Sequence, residues 1–218
     1  MAWQTHHHCA TMDKNLAIER PLRAIKPATP GRLNHAAYVI RDAEETTSFY
    51  RDILGLPLVG FVIDDKVPST GDPFPYVHLF FELGDGSSLA FFESVGLPEP
   101  AKASHPAYNV FNHLALDVGT PANVDQWASH LRSHGVEVIG PVDHAVIYSV
   151  YFHDPNGIRL ELTCNTLWKP DVAGSADSLV EWTRAKARSK ALGGDTAPLL
   201  ELIQARRALH KLPAEAQT

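Results

Sequence analysis

The sequence predicts an α+β fold built from two tandem βαβββ modules. Three observations carry that prediction. The segment Leu33-Asn34-His35-Ala36-Ala37 is matched by Phe111-Asn112-His113-Leu114-Ala115, the mark of an internal duplication. Each copy precedes a helical pattern closed by a glycine, Gly55 in the first half and Gly135 in the second. Each helix precedes three short segments in which apolar residues alternate with others, the period of a half-buried strand. With 218 residues, 44% hydrophobic and 20% charged, the chain has ample apolar material for a core.

In the first module, Leu33 to Ile40 has strand length, and Asp42 with Glu44 and Glu45 suits the start of a helix. Phe49, Tyr50, Ile53 and Leu54 mark the apolar face of that helix. Strands are predicted at Leu58 to Ile63, Tyr76 to Leu83 and Ser88 to Glu93, with a Pro- and Gly-rich loop from Val67 to Pro75. The second module repeats the order: a strand at Phe111 to Val118, a helix carrying Val124, Trp127, Ala128 and Leu131, then strands at Val136 to Ile139, Val146 to Phe152 and Ile158 to Thr163. The expected organisation is therefore an N-terminal arm over residues 1–31, a first module over 32–98, a second over 108–166, and a helical extension over 175–212 broken at Gly193-Gly194.

The balance of 19 Lys and Arg against 25 Asp and Glu, a formal charge of -6, argues against nucleic acid as a partner. No apolar run reaches the ~20 residues of a membrane helix, and the N-terminus lacks a secretory signal pattern. Two cysteines, Cys9 and Cys164, build no disulfide framework. The expectation is a soluble, cytoplasmic protein, homo-oligomeric, without nucleic-acid or membrane partners. His6-His7-His8-Cys9 lies in the arm and reads as a polar tail rather than a closed metal site.

The chemistry is predicted from strand faces. Side chains two apart share a face, so Glu161 lies with Arg159 and Thr163, and Tyr151 lies with Ser149 and His153, opposite Val150, Phe152, Leu160 and Leu162. His78 and Glu82 alternate with apolar neighbours in the same way. Ionisable groups on such a face are costly if dry and unpaired, which makes the face a candidate site. His35 and His113 occupy equivalent positions of the repeat, and Glu161 adds a carboxylate. Two imidazoles and one carboxylate form the facial triad that suits Fe(II), Mn(II) or a similar ion and leaves positions open for ligands.

These residues, together with Ser48-Phe49-Tyr50-Arg51-Asp52-Ile53-Leu54-Gly55-Leu56 and Asp154-Pro155-Asn156-Gly157-Ile158-Arg159-Leu160-Glu161-Leu162, resemble the vicinal oxygen chelate superfamily. That superfamily includes glyoxalase I, fosfomycin resistance enzymes, bleomycin resistance proteins and type I extradiol dioxygenases. The resemblance implies an eight-stranded cup around one divalent metal. Similarity to the dioxygenases implies Fe(II), with Mn(II) an alternative, and a small aromatic diol and O2 as substrates. His35, His113 and Glu161 would be ligands; His78 and Tyr151 would orient and move protons; His144, Phe80 and Tyr148 would contact substrate. Phe91 and Tyr108 are further candidates for an aromatic lining.

The alternative enzyme is a glyoxalase- or epimerase-like isomerase or lyase on Zn, Ni or Co, with Glu93 as a fourth ligand or base. Glu93 has the opposite parity from the position matching Glu161, which is Ala90, so three ligands are favoured. A fosfomycin-type transferase shares the triad and a tyrosine like Tyr151, but the stretch from Gly140 to Val150 lacks the cations a phosphonate needs. A non-catalytic drug-binding module is a further alternative, disfavoured by the complete triad. His105, His130, His134, His153 and His210 are expected at the surface.

Overall fold

Each βαβββ half closes on itself into a four-stranded mixed sheet. A computed structural model of the chain describes residues 29–98 and 103–209. Residues 1–28 of the expected arm, with the His6-His8 run, and His210 lie outside the described residues. The first sheet has the order β1-β4-β3-β2, with β1 His35–Val39, β2 Leu58–Asp64, β3 Tyr76–Glu82 and β4 Ser88–Ser94. The second has the order β5-β8-β7-β6, with β5 Leu114–Asp117, β6 Ile139–Asp143, β7 Ile147–His153 and β8 Arg159–Asn165. In both, the first strand pairs in parallel with the last and the remaining pairs are antiparallel.

The helices follow from their caps. Asp42 Oδ1 accepts from Glu45 N at 2.7 Å, opening α1 at Ala43–Thr47. The helix continues as a π-helical turn, Ser48–Ile53, in which Leu54 N bonds Phe49 O at 3.0 Å. That departs from the expected α-helical spacing, and the adjacent Phe49 and Tyr50 are both buried. α2 spans Pro106–Phe111 and α3 spans Pro121–Ser133. Gly55 and Gly135, at φ of 72 and 77, end α1's extension and α3 as expected. The C-terminal helices are α4, Val172–Ala191, and α5, Ala197–Leu209; they pack on each other. No described helix is long and apolar enough to cross a membrane.

Two boundaries differ from expectation. Phe111 belongs to α2 and not to a strand, because His105 Nδ1 accepts from Ala107 N at 3.1 Å and Pro106 occupies the first turn. β6 starts at Ile139 instead of Val136 and carries Pro141, tolerated because β6 is an edge strand.

One core serves both modules. Tyr50 packs its ring 5.6 Å from Phe81 and 4.6 Å from Phe91 of the first sheet, while Phe49 lies 6.3 Å from Phe152 of the second. Each of these fully buried side chains contributes about 1.5–3 kcal/mol of apolar burial. Polar bonds reinforce the joint. Tyr50 donates to Asp154 Oδ2 at 3.1 Å, Arg41 N donates to Asn156 Oδ1 at 3.0 Å, and Asn156 Nδ2 donates to Thr46 Oγ1 at 3.0 Å. Burial and the neighbouring Asp154 carboxylate push the Tyr50 phenol far above its ordinary range, so the hydroxyl stays a donor.

Candidate metal centre

The second sheet places four of the expected residues in one chain of contacts. The turn Asp154 to Gly157 is tied by Gly157 N to Asp154 O at 3.0 Å, and Gly157 takes a φ of 83. That turn fixes the β7–β8 register, in which Tyr151 stands opposite Glu161. Glu161 is 2% exposed. His113, just ahead of β5, brings Nε2 to 2.9 Å from Glu161 Oε2. Tyr151 donates its hydroxyl to Glu161 Oε1 at 2.9 Å, and His144 Nε2 lies 2.9 Å from the same phenol oxygen. Since the phenol hydrogen is used on Glu161, His144 is the donor in that pair. Burial, and then the bond to Glu161, raise the Tyr151 phenol above its ordinary pKa, so Tyr151 holds the carboxylate as a neutral donor.

The first sheet is built differently. His35 Nδ1 lies 2.7 Å from Asn34 Oδ1. An amide oxygen can only accept, so Nδ1 carries the hydrogen and Nε2 keeps its lone pair, the tautomer of an Nε2 metal ligand. The His35 ring stands edge-on to Phe80 at 5.7 Å and to His78 at 6.4 Å. His78 is stacked on Phe92 at 3.6 Å with the rings 17° from parallel, and its buried Nε2 has no hydrogen-bond partner. Burial, and then the neighbouring His35, lower the His78 pKa below its ordinary value and keep the ring neutral.

His35 does not meet His113 and Glu161 in this chain. Among the described residues no three His, Cys, Asp or Glu side chains converge on one point. The expectation of a triad closed within one copy is corrected accordingly. The shared core is formed by buried residues from both modules.

Other expectations are also corrected. Glu93 pairs across from Val77 on the helix-facing side, where its Oε2 accepts from Ala43 N at 2.6 Å. It anchors the start of α1 and is removed as a fourth ligand. Tyr148 shares the parity of Val150 and Phe152 and donates to Asp125 Oδ1 at 3.0 Å, beneath α3 and away from the polar face. Phe91 is fully buried under Tyr50. His130 is not a free surface group: its Nε2 lies 2.9 Å from Ile53 O, joining α3 to the first module. His105 is exposed, as expected, and serves as the N-cap of α2. Phe80, by contrast, stands on the polar face beside His35 and His78.

Sequence reasoning missed Phe92 as the partner of His78, although strand parity places it beside Ala90 and opposite His78. It also gave no role to Arg159, whose guanidinium carbon sits 4.4 Å from the centre of the Tyr151 ring.

The donor chemistry fits a divalent metal. Two ligand atoms at right angles on an ion, each about 2.1 Å from it, are about 3 Å apart. The His113 to Glu161 separation of 2.9 Å matches that spacing. Glu161 is oriented by Tyr151 and His35 by Asn34, the outer support that ligating carboxylates and imidazoles ordinarily have.

The family model described as Glyoxalase/Bleomycin resistance protein/Dioxygenase superfamily matches residues 32–162. The chain is 27% identical over 133 residues to a 2,2',3-trihydroxybiphenyl dioxygenase of Sphingomonas paucimobilis, covering 60% of this chain and 40% of that protein. Over 79 residues it is 29% identical to a biphenyl-2,3-diol 1,2-dioxygenase 2 of Rhodococcus globerulus, 36% of this chain and 42% of the relative. It thus spans less than half of either dioxygenase. A metallothiol transferase FosB of Staphylococcus haemolyticus is 26% identical over 137 residues, 62% of this chain and 84% of that one. Among solved structures, a glyoxylase/bleomycin resistance protein/dioxygenase domain from Frankia sp. EAN1pec superposes with a TM-score of 0.52 at 17% identity. It covers 63% of this chain and 100% of that one, and supports the fold alone.

Proposed function

Because the chain belongs to the glyoxalase/bleomycin resistance protein/dioxygenase superfamily, we propose that it is a divalent-metal enzyme, an oxygenase of the extradiol ring-cleaving type acting on a small aromatic diol. The observation that carries this reading is the ordered series His113, Glu161, Tyr151 and His144, with its two donor atoms at the spacing of neighbouring ligands. Fe(II) or Mn(II) is the metal of this reading, held by His113 and Glu161 with His35 as the third ligand. One chain supplies only two of the three together, so His35 comes from a second copy. The edge strand β2, which exposes Val59, Phe61, Val62 and Ile63, supports such an assembly.

A divalent metal held there would act as a Lewis acid on the diol oxygens and bring the diol and O2 together. The protein's own groups do the rest. Tyr151 holds Glu161 in orientation by donating to its Oε1; His144 in turn fixes the phenol. The neutral His78 imidazole, beside His35, would accept a proton from the diol as its oxygens bind. Phe80 and Phe92 surround His78 with apolar aromatic surface. The names of the two dioxygenase relatives support the diol and O2.

A transferase reading is favoured by one observation, the 84% coverage of the FosB relative. The isomerase or lyase reading loses Glu93 to the helix cap. Metal analysis of anaerobically purified protein, with O2 uptake measured against a panel of diols, separates these. About one Fe or Mn per copy and uptake with a diol is the expected result. Zn or Ni, without O2 uptake on any diol, overturns it.

A further inference from the structure

A cavity of about 680 Å³ opens beside the proposed ligand His113, under α2. Its lining includes Arg159, His153, Tyr108, Asn109, Phe111 and Asn112, and no Asp or Glu among the described residues contributes to it. In a chain of net charge -6, a cavity with a guanidinium in its wall and no carboxylate among its described lining residues is a local reversal of sign. Arg159 is half-buried, and no described carboxylate forms an ion pair with it. Its position is set from two sides. The guanidinium lies over the Tyr151 ring, and Nη1 donates to Val110 O of α2. Its remaining donors have no hydrogen-bond partner among the described residues.

An arginine in the wall of an aromatic-lined cavity, held by stacking and one carbonyl and with its other donors unbonded among the described residues, suits a planar anion. We infer that this cavity takes a carboxylate carried on the ring of the substrate, with Arg159 receiving it while the vicinal oxygens reach the metal. The inference rests on the aromatic diol reading and narrows it to diols bearing a ring carboxylate. A single cation suits a monoanion better than a doubly charged phosphonate, which sets this cavity apart from a phosphonate site.

The test measures binding of 3,4-dihydroxybenzoate and of catechol to the full chain at low salt, with benzoate as a third probe. Wild type, Arg159→Lys and Arg159→Met are compared. The quantity read is the ratio of the two diol affinities within each variant, so any general damage from displacing α2 cancels. In wild type the carboxylated diol should bind about ten- to a hundredfold tighter. That preference should shrink with added salt, fall to near unity in Arg159→Met and survive in part in Arg159→Lys. An equal ratio in wild type and Arg159→Met overturns the inference. So does wild type that consumes O2 with both diols and shows no preference, an outcome that leaves the diol reading standing. Binding of benzoate that depends on Arg159, with neither diol giving O2 uptake, keeps the anion site and overturns the diol reading instead.

Discussion

The two polar faces share a topology and a register yet differ in how their polar atoms are satisfied. On the second face, His113, Glu161, Tyr151 and His144 form an unbroken series of contacts at 2.9 Å, and Ser149 bonds Thr163 at 2.8 Å. On the first, His78 Nε2 has no partner and its ring lies between Phe92 and Phe80. The same backbone pairing thus carries two different side-chain arrangements. One face orients a carboxylate through hydrogen bonds, the stiff support a metal ligand needs. The other surrounds a donor with aromatic walls and leaves an imidazole nitrogen uncommitted. A bonded network tolerates no missing member, whereas an apolar wall with one free nitrogen tolerates a change of side chain.

Removing the carboxylate should have the largest effect. Glu161→Gln and His113→Ala are expected to lose metal retention by more than about 100-fold on dialysis, read by elemental analysis. Full occupancy in either variant would break the assignment of the second face as the metal half. Next, mixing subunits tests whether the two faces meet between copies. His35→Ala and Glu161→Gln, each inactive alone, should recover about a quarter of wild-type activity when refolded together, since half the sites of a mixed dimer are intact and half the dimers are mixed. No recovery would place His35 with its own chain's Glu161.

Within the second face, Tyr151→Phe should weaken metal binding about 10- to 100-fold, and His144→Ala by less, since it acts one bond further out. Equal losses would mean that His144 touches the metal or substrate directly. The smallest effect on metal is expected on the first face. His78→Phe should leave metal bound while slowing turnover about 100-fold or more. In metal-free protein the same change should remove an acid sensitivity. The folded pKa of His78 lies below its ordinary value of about 6.5, so stability is lost as pH falls below that value, when the unfolded chain takes up a proton that the folded one refuses. Denaturant titrations at pH 7.5 and 5.5 check this; identical pH dependence in both proteins would return His78 to the bonded class.

Much of this was legible in the chain because alternation is a local property. The strands, the glycine stops at Gly55 and Gly135, and the shared face of Tyr151 and Glu161 all follow from counting by two or by turns. Tyr148 obeys the same count and was misjudged for its chemistry, although it shares the parity of Val150. α2 was overlooked because its few residues show no sustained period, although His105-Pro106 announces a cap. The placement of one module against the other is not local. It depends on Tyr50 reaching Asp154 and Phe49 reaching Phe152, contacts that no periodicity encodes.

The turn from Asp154 to Gly157 carries a double duty. Its Asp154 and Asn156 hold Tyr50, Arg41 and Thr46 of the first module, and its geometry sets where Glu161 falls four residues later. Joint and gauge are thus one piece of backbone: whatever loosens the halves also moves the carboxylate. Substitutions there should therefore lower unfolding stability and metal affinity in proportion, a covariance absent at Tyr151, where the two quantities separate. A segment under both constraints has little room to change without altering both the joint and the position of Glu161.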